Sequence, residues 1–343
     1  MKIPKYFISA IVLALFLAGC SSDTSRKGEP MKKDFFAMDT YNTVTIYDDV
    51  PESVLDVAEK RMEELESLWS VTDKDSEVYA VNHANGEPVT ISEETAELIQ
   101  FSLNMAEKTE GALDISLYPV LTAWGFTTGK TQIPSDEMLV EKMELTGVEK
   151  ISLSEDSLSM QPDMQIDLGA VAKGYACDLL AQQLKGDGVT SAILSLGGSV
   201  CAIGSKPDGN DYKISVQNPE YGDSLGLLSI SDSCVVTSGA YERYFEGENG
   251  KRYGHILSPS TGRPAESGLV SVTVVGKEGK LCDALSTAFF VMGLSATEEY
   301  FRTYGGIDFL LITEDGEIYL SAGLKDKFTL SETYKNMPLY VME

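Results

Sequence analysis

The 343-residue chain sets 27 Lys and Arg against 53 Asp and Glu, a formal net charge of −26 with a pI near 4.4, and 43% of its residues are apolar. That leaves ample material for a large core and a deep cleft. It argues against nucleic acid as a partner and against a grip on anionic lipid through charge alone.

In chain order, "MKIPKY" carries two lysines, "FISAIVLALFLAG" is apolar, and Cys20 follows in "LAGC". The run is too short to span a membrane stably and reads as an export signal over residues 1–19. "LAGC" resembles the lipobox of bacterial lipoproteins, which implies acylation of Cys20 and attachment to a bacterial cell membrane; an ordinary cleaved leader is the alternative. Residues 20–33 are too polar to fold and read as a tether. The folded body, 34–343, is expected to start near Asp34.

"YNTVTIYD" alternates as a strand, and "PESVLDVAEKRMEELESLWS" has helical apolar spacing with Pro51 near its start. A second helix runs through "SEETAELIQFSLNMAEKTEG", with Ser92 placed to cap it and Gly111 to end it. A third is expected from about Ser135 to Gly147. Beyond Val148 short strands dominate: "VEKISLS", "MQIDLG", "SAILSLGGS", "YKISVQ", "LGLLSIS", "CVVTSG", "RYGHIL", "LVSVTVVG", "IDFLLIT" and "GEIYL". Helices are expected at "AVAKGYACDLLAQQLKG", at Asp283 to Gly293 and at Ser295 to Tyr304. There is no internal repeat and no Rossmann or P-loop glycine fingerprint. The fold class is α+β, read as two interleaved α/β lobes with a cleft between them.

Several segments could carry chemistry. Asp283, Ser286 and Thr287 stand at i, i+3 and i+4, so one carboxylate and two hydroxyls share a helical face. Such hard oxygen donors suit Mg²⁺ or Ca²⁺ better than zinc, although Asp283 as a plain N-cap is the simpler reading of that segment alone. "DLGAVAKG" sets Asp167 and Lys173 beside small residues at a helix start, where an anion would meet free N–H groups; a cap and a snorkelling lysine would look the same. The glycine turns "SLGGS" and "TSGAYER" could form anion-binding nests. Of two histidines, His83 reads as a surface loop residue, whereas His255, ahead of the turn "SPSTGRP", could be a general base. No nucleophile elbow supports a hydrolytic triad. Cys177, Cys201, Cys234 and Cys282 sit in apolar sequence without a CxxC pair and read as buried free thiols, though an even number permits disulfides.

The ordered set "AMDT", "GALDISLYPVLTAWGF", "DLGAVAKGYACD", "LGGS", "TSGAYER", "HILSPSTGRP" and "DALSTA" resembles the ApbE family, the FAD:protein FMN transferases, over nearly all of the chain after Asp34. The resemblance implies a T-fold-like body of two lobes with the FAD site in the cleft. It implies Mg²⁺-dependent attack of an acceptor Thr or Ser hydroxyl on the FMN phosphorus of FAD, giving a phosphoester-linked flavin and AMP. Mg²⁺ would be held by Asp283, Thr287 and the backbone carbonyl of Ala170, where some relatives have Ser or Thr. His255 would be the base. FAD would be held around Met38, Ala112, Leu113, Asp114, Asp167, Lys173, Leu257 and Ser286, with Lys173 and Ser286 departing from acidic residues of some relatives. Acceptors would be exported domains of Rnf- or Nqr-type electron-transport complexes or other small FMN-carrying proteins. A metal-dependent FAD pyrophosphatase and a lipid-anchored flavin-binding protein are the rival readings.

Overall fold

The structure is a computed structural model and describes residues 29–248 and 250–342. The leader, Cys20 and most of the tether lie outside the described residues. The chain opens on a hairpin of β1 (Met31–Ala37) and β2 (Thr40–Ile46). The strand β1 thus includes part of the stretch read as tether: Lys32 and Lys33 pair with Thr45 and Val44. The two-residue turn puts Met38 and Asp39 at φ 54° and 56°, a type I′ geometry that side chains other than Gly, Asn and Asp rarely adopt. Buried Asn42 holds it, its Nδ2 donating to the Ala37 and Thr40 carbonyls at 3.0 and 3.1 Å.

The helices α1 (Ser53–Trp69), α2 (Glu77–Asn82), α3 (Glu93–Lys108), α4 (Tyr118–Trp124) and α5 (Asp136–Met143) follow, with β3 (Val89–Thr90) between α2 and α3. Ser92 caps α3 by accepting from Thr95 N, as its position in the sequence suggests, and Ser135 caps α5 in the same way. The strands β4 (Ile151–Leu153) and β5 (Ser157–Met160) join β3 in a small sheet in which β5 is central and pairs with both. "MQIDLG" is not a strand, contrary to expectation. Its backbone is spent on other partners: Ile166 N donates to Asn82 Oδ1, Ile166 O accepts from Asn82 Nδ2, and Asp167 N donates to Ile115 O.

The second half carries α6 (Ala172–Gly186), β6 (Ala192–Leu196), β7 (Ser199–Ile203), β8 (Tyr212–Gln217), β9 (Ser224–Ile230), β10 (Cys234–Gly239), β11 (Tyr244–Glu246), β12 (Arg252–Gly254) and β13 (Leu269–Gly276). It ends with α7 (Gly279–Tyr304), β14 (Asp308–Thr313), β15 (Ile318–Ser321), β16 (Phe328–Leu330) and β17 (Leu339–Met342). Gly293, at φ 77°, breaks α7 where the sequence reading divides it into two helices. A nine-stranded sheet of order β1-β2-β6-β7-β10-β13-β14-β15-β17 forms the spine. Period-two alternation gives it two apolar faces. Phe309 and Leu311 face the core under α6 and α7, while Leu310 and Ile312 pack against the layer of β8, β9 and β16. A third cluster, around Trp124, Val120, Leu139 and Leu257, knits α4 and α5 to the segment after His255.

The helices α6 and α7 lie across this sheet and cap each other. Asp283 of α7 accepts from Gly174 N, a first-turn donor of α6, at 2.8 Å. Asp178 of α6 accepts from Gly279 N and Lys280 N at the start of α7, at 2.6 and 2.9 Å. Each carboxylate thereby satisfies orphan donors at the positive end of the other helix. The backbones touch here: a Cβ on Gly174 would collide with the Gly279 carbonyl, and one on Gly279 with that of Gly174. Among the described residues no helix is long and apolar enough to cross a membrane. The structure shows one cysteine pair bridged, Cys201–Cys234, which corrects the free-thiol expectation for these two; neighbouring strands bring them into register. Cys177 and Cys282 are free and buried, as expected.

Gly174→Ala is expected to cost about 1–3 kcal/mol of unfolding free energy by overpacking the crossing, read from denaturant titration. A variant as stable as the parent would show that the helices can separate without penalty.

Candidate active site

A cleft of about 390 Å³ opens where the ends of β2, β6, β7 and β10 meet the starts of α6 and α7. Met38, Ala112, Leu113, Asp114, Asp167, Ala170, Lys173, His255, Leu257, Asp283 and Thr287 all line it. Residues spread over most of the sequence are therefore brought to one surface. Ser286 lies behind the wall, fully buried, its Oγ donating to the Asp283 carbonyl and sitting 2.8 Å from Ser238 Oγ. His83 is exposed at the end of α2, stacked on Tyr79, and takes no part.

Asp167 does not cap α6 directly. Its Oδ1 accepts from Gly169 N at 2.8 Å, a local turn that delays the helix until Ala172. Because Gly174 N turns to Asp283, the Ala170 carbonyl four residues back is released from the bond a continuous helix would make. Lys173 Nζ donates to Gly169 O at 3.1 Å. Burial pushes the carboxyls of Asp167 and Asp283 above the usual range, and the Lys173 charge pulls both back. Asp283 is 4% exposed and has only Gly174 N and the neighbouring cation to favour its charged form. Asp114 is also pushed up by burial, against hydrogen bonds from Ser116 N and Oγ at 2.7 and 2.6 Å.

The strand β10 and the turn after it add groups that the sequence reading passed over. Ser238 Oγ is 3.4 Å from Thr287 Oγ1 and fixes the hydroxyl face of α7. Glu242 lines the cleft; although open to solvent, its carboxyl is pushed up to about 7 by surrounding protein, with Lys173 opposing and Asp283 adding to the shift. Arg243 also lines the cleft, and its carbonyl lies 3.1 Å from His255 Nδ1. "TSGAYER" drew notice for its glycine turn, yet nothing in the string marks its Glu and Arg as facing Lys173 and His255.

Since a carbonyl can only accept, Nδ1 of His255 carries the ring proton and Nε2 is left with a lone pair. Burial lowers the His255 pKa to about 4, the Arg243 carbonyl opposing and the charges of Arg243 and Lys173 adding. The ring is neutral at physiological pH, as a proton acceptor must be. Phe126 meets it edge-on at 6.4 Å between centroids and joins an aromatic wall with Trp124, Phe245 and Tyr253.

Among the described residues no three His, Cys, Asp or Glu side chains cluster as a metal cage. One buried carboxylate, one hydroxyl and one released carbonyl are instead the incomplete oxygen set that suits Mg²⁺ arriving with a phosphate ligand. The donors present fit the ion on those terms.

The model of the ApbE family matches residues 38–311. The chain is 34% identical over 242 residues to a Vibrio cholerae protein named FAD:protein FMN transferase, covering 68% of this chain and 72% of that one. An Escherichia coli K12 protein of the same name is 29% identical over 340 residues, covering 93% and 95%. Among solved structures, the ApbE protein of Thermotoga maritima superposes with a TM-score of 0.80 at 32% identity, over 90% of this chain and 98% of that one. The flavin transferase ApbE of Vibrio cholerae gives 0.79 at 28%, over 87% and 100%.

The His255 ring should be neutral at pH 7 with its proton on Nδ1, and titrate near 4 rather than 6.5, as read by heteronuclear NMR. Because the unfolded chain binds this proton first, folding stability should fall as pH drops from about 6.5 to about 4, by on the order of 3 kcal/mol. A His255→Gln protein should lack that component. A ring titrating near 6.5 would contradict the assigned environment.

Proposed function

The chain belongs to the ApbE family, and on that footing we propose that it is an enzyme that transfers the FMN portion of FAD to a protein, with FAD as substrate rather than resident cofactor. The acceptor is a Thr or Ser hydroxyl, which attacks the FMN phosphorus; the pyrophosphate bond breaks, AMP leaves, and a phosphoester-linked flavin remains. The carrying observation is that a neutral imidazole with a free Nε2 shares one cleft with Lys173 and the buried Asp283 carboxylate. His255 Nε2 receives the hydroxyl proton. Lys173 and Arg243 supply positive charge toward the diphosphate and the departing AMP. Asp283, Thr287 and the Ala170 carbonyl would hold Mg²⁺, which when bound neutralises diphosphate charge. Met38, Ala112, Leu113, Asp114, Asp167 and Leu257 would frame the dinucleotide, and Ser286 supports this wall from behind through Ser238.

The exported, lipid-anchored form belongs to the same proposal. Acylation of Cys20 would hold the catalytic body at the outer face of a bacterial cell membrane. Exported domains of Rnf- or Nqr-type complexes would then be within reach.

Incubation with FAD, Mg²⁺ and such an acceptor domain should add one covalent FMN to the acceptor in intact-protein mass spectra, and EDTA should abolish it. FMN and AMP accumulating in solution without labelling would replace the transferase by a hydrolase. Asp283→Asn keeps an oxygen for Gly174 N, so it should fold normally yet lose about 100-fold or more in labelling rate, with partial recovery at high Mg²⁺. Unchanged labelling would remove Asp283 from the metal site.

A further inference from the structure

One cation stands among most of the charges of the cleft. Lys173 lies in the first turn of α6, and the next residue, Gly174, gives its N–H to Asp283 Oδ2 at 2.8 Å. The ammonium therefore leaves from the same turn that grips the buried carboxylate. Its Nζ donates to Gly169 O at 3.1 Å, one residue before Ala170, whose carbonyl the helix crossing releases.

That carbonyl is its one polar tie among the described residues. Lys185 and Lys280 close ion pairs with Asp232 and Glu97, whereas no described carboxylate lies at ion-pair distance from Lys173. Its charge is nevertheless felt across the site. The surrounding protein raises the carboxyls of Asp167, Glu242 and Asp283, and the Lys173 ammonium pulls each of them back. At Asp283 it weighs more than the hydrogen bond from Gly174 N, and at His255 it adds to the effect of burial.

A divalent ion on Asp283, Thr287 and the Ala170 carbonyl would share this wall with the ammonium, and like charges repel far more strongly in a buried site than in water. A diphosphate changes that balance. It supplies oxygens to the metal and strong acceptors to the ammonium, whose flexible four-carbon stem can swing from a carbonyl to a phosphate.

We propose that Lys173 makes metal binding conditional on the dinucleotide. Without FAD its ammonium is the counterion of Asp283 and turns away free divalent ions; with FAD it moves to the diphosphate and admits Mg²⁺. The identity of the dinucleotide rests on the function proposed above. Metal and substrate are then coupled, each raising the affinity of the other by the same factor. The cleft takes the ion together with its substrate rather than from solution, and Lys173 is the residue that imposes this order.

The test titrates the FAD-free chain with Mn²⁺, reading the free ion by electron paramagnetic resonance, and separately measures FAD affinity in EDTA by flavin fluorescence. Removing the ammonium also lets the carboxyls hold protons more readily, so both titrations are run at pH 8. Lys173→Met should bind Mn²⁺ at least about tenfold more tightly than the parent, and FAD at least about tenfold more weakly. Lys173→Gln, which keeps a donor for Gly169 O, should do the same, whereas Lys173→Arg keeps the charge and should resemble the parent. Adding Asp283→Asn to Lys173→Met should remove the gain in Mn²⁺ affinity. Mn²⁺ affinity unchanged in both neutral variants, a gain that survives Asp283→Asn, or FAD affinity in EDTA that neither variant lowers overturns the inference. If no form binds FAD at all, the functional reading fails, while the Mn²⁺ titrations still decide this one.

Discussion

The reciprocal capping of α6 and α7 is the contact on which the site depends. Gly174 and Gly279 allow the two backbones to meet, and at that distance Asp283 and Asp178 can each reach the other helix's first turn. A helix start leaves donors that must be satisfied, and here the partner helix satisfies them with charge. The functional result is positional. Asp283 is held at the cleft wall by a bond it must make for the fold, and that bond releases the Ala170 carbonyl beside it.

Electrostatics follow from the same packing. Lys173 projects from the capped turn toward Asp167, Asp283 and Glu242, all three held above the ordinary carboxylate range by the surrounding protein, Asp283 by outright burial. Lys173 and Arg243 are two cations against three carboxyls, so the site carries more latent negative charge than its own cations offset. On the proposed reading this is consistent with a substrate that brings a divalent cation along with its phosphates. The base is tuned the opposite way: the burial that raises the carboxyls lowers the imidazole of His255, and the cations that oppose burial at the carboxyls add to it at the ring, so the ring is held unprotonated.

Much of this was legible in the chain. Helical apolar spacing located α1 and, with Ser92 as its cap, α3, alternation located β2, and short apolar runs rich in β-formers located β8, β9, β10, β13 and β14, of which β10, β13 and β14 are buried on both faces. Small residues around Asp167 and Lys173, and hydroxyls one turn beyond Asp283, marked both helix starts. What escaped depends on contacts distant in sequence. "MQIDLG" has a strand's composition, but its backbone bonds go to Asn82 and Ile115, which no local pattern reveals. The Cys201–Cys234 bridge requires the order of strands in the sheet. Ser286 and Thr287 both lie one turn beyond Asp283, yet the rotation of about 100° between consecutive helical residues leaves Thr287 in the cleft and buries Ser286 behind it. Glu242 and Arg243 gain meaning only once Lys173 and His255 stand opposite.

The site is assembled from many places because one sheet and two crossing helices bring distant segments together. No single segment holds a complete constellation: Lys173 comes with α6 and Met38 with the hairpin tip, whereas His255, Asp283 and the hydroxyls of β10 and α7 come from later in the chain. The strained turn at Met38 and Asp39 survives because Asn42 and the β1–β2 ladder overdetermine it. Precision at the cleft is a property of the contacts between α6 and α7, and the side chains at that crossing act as both tie and site.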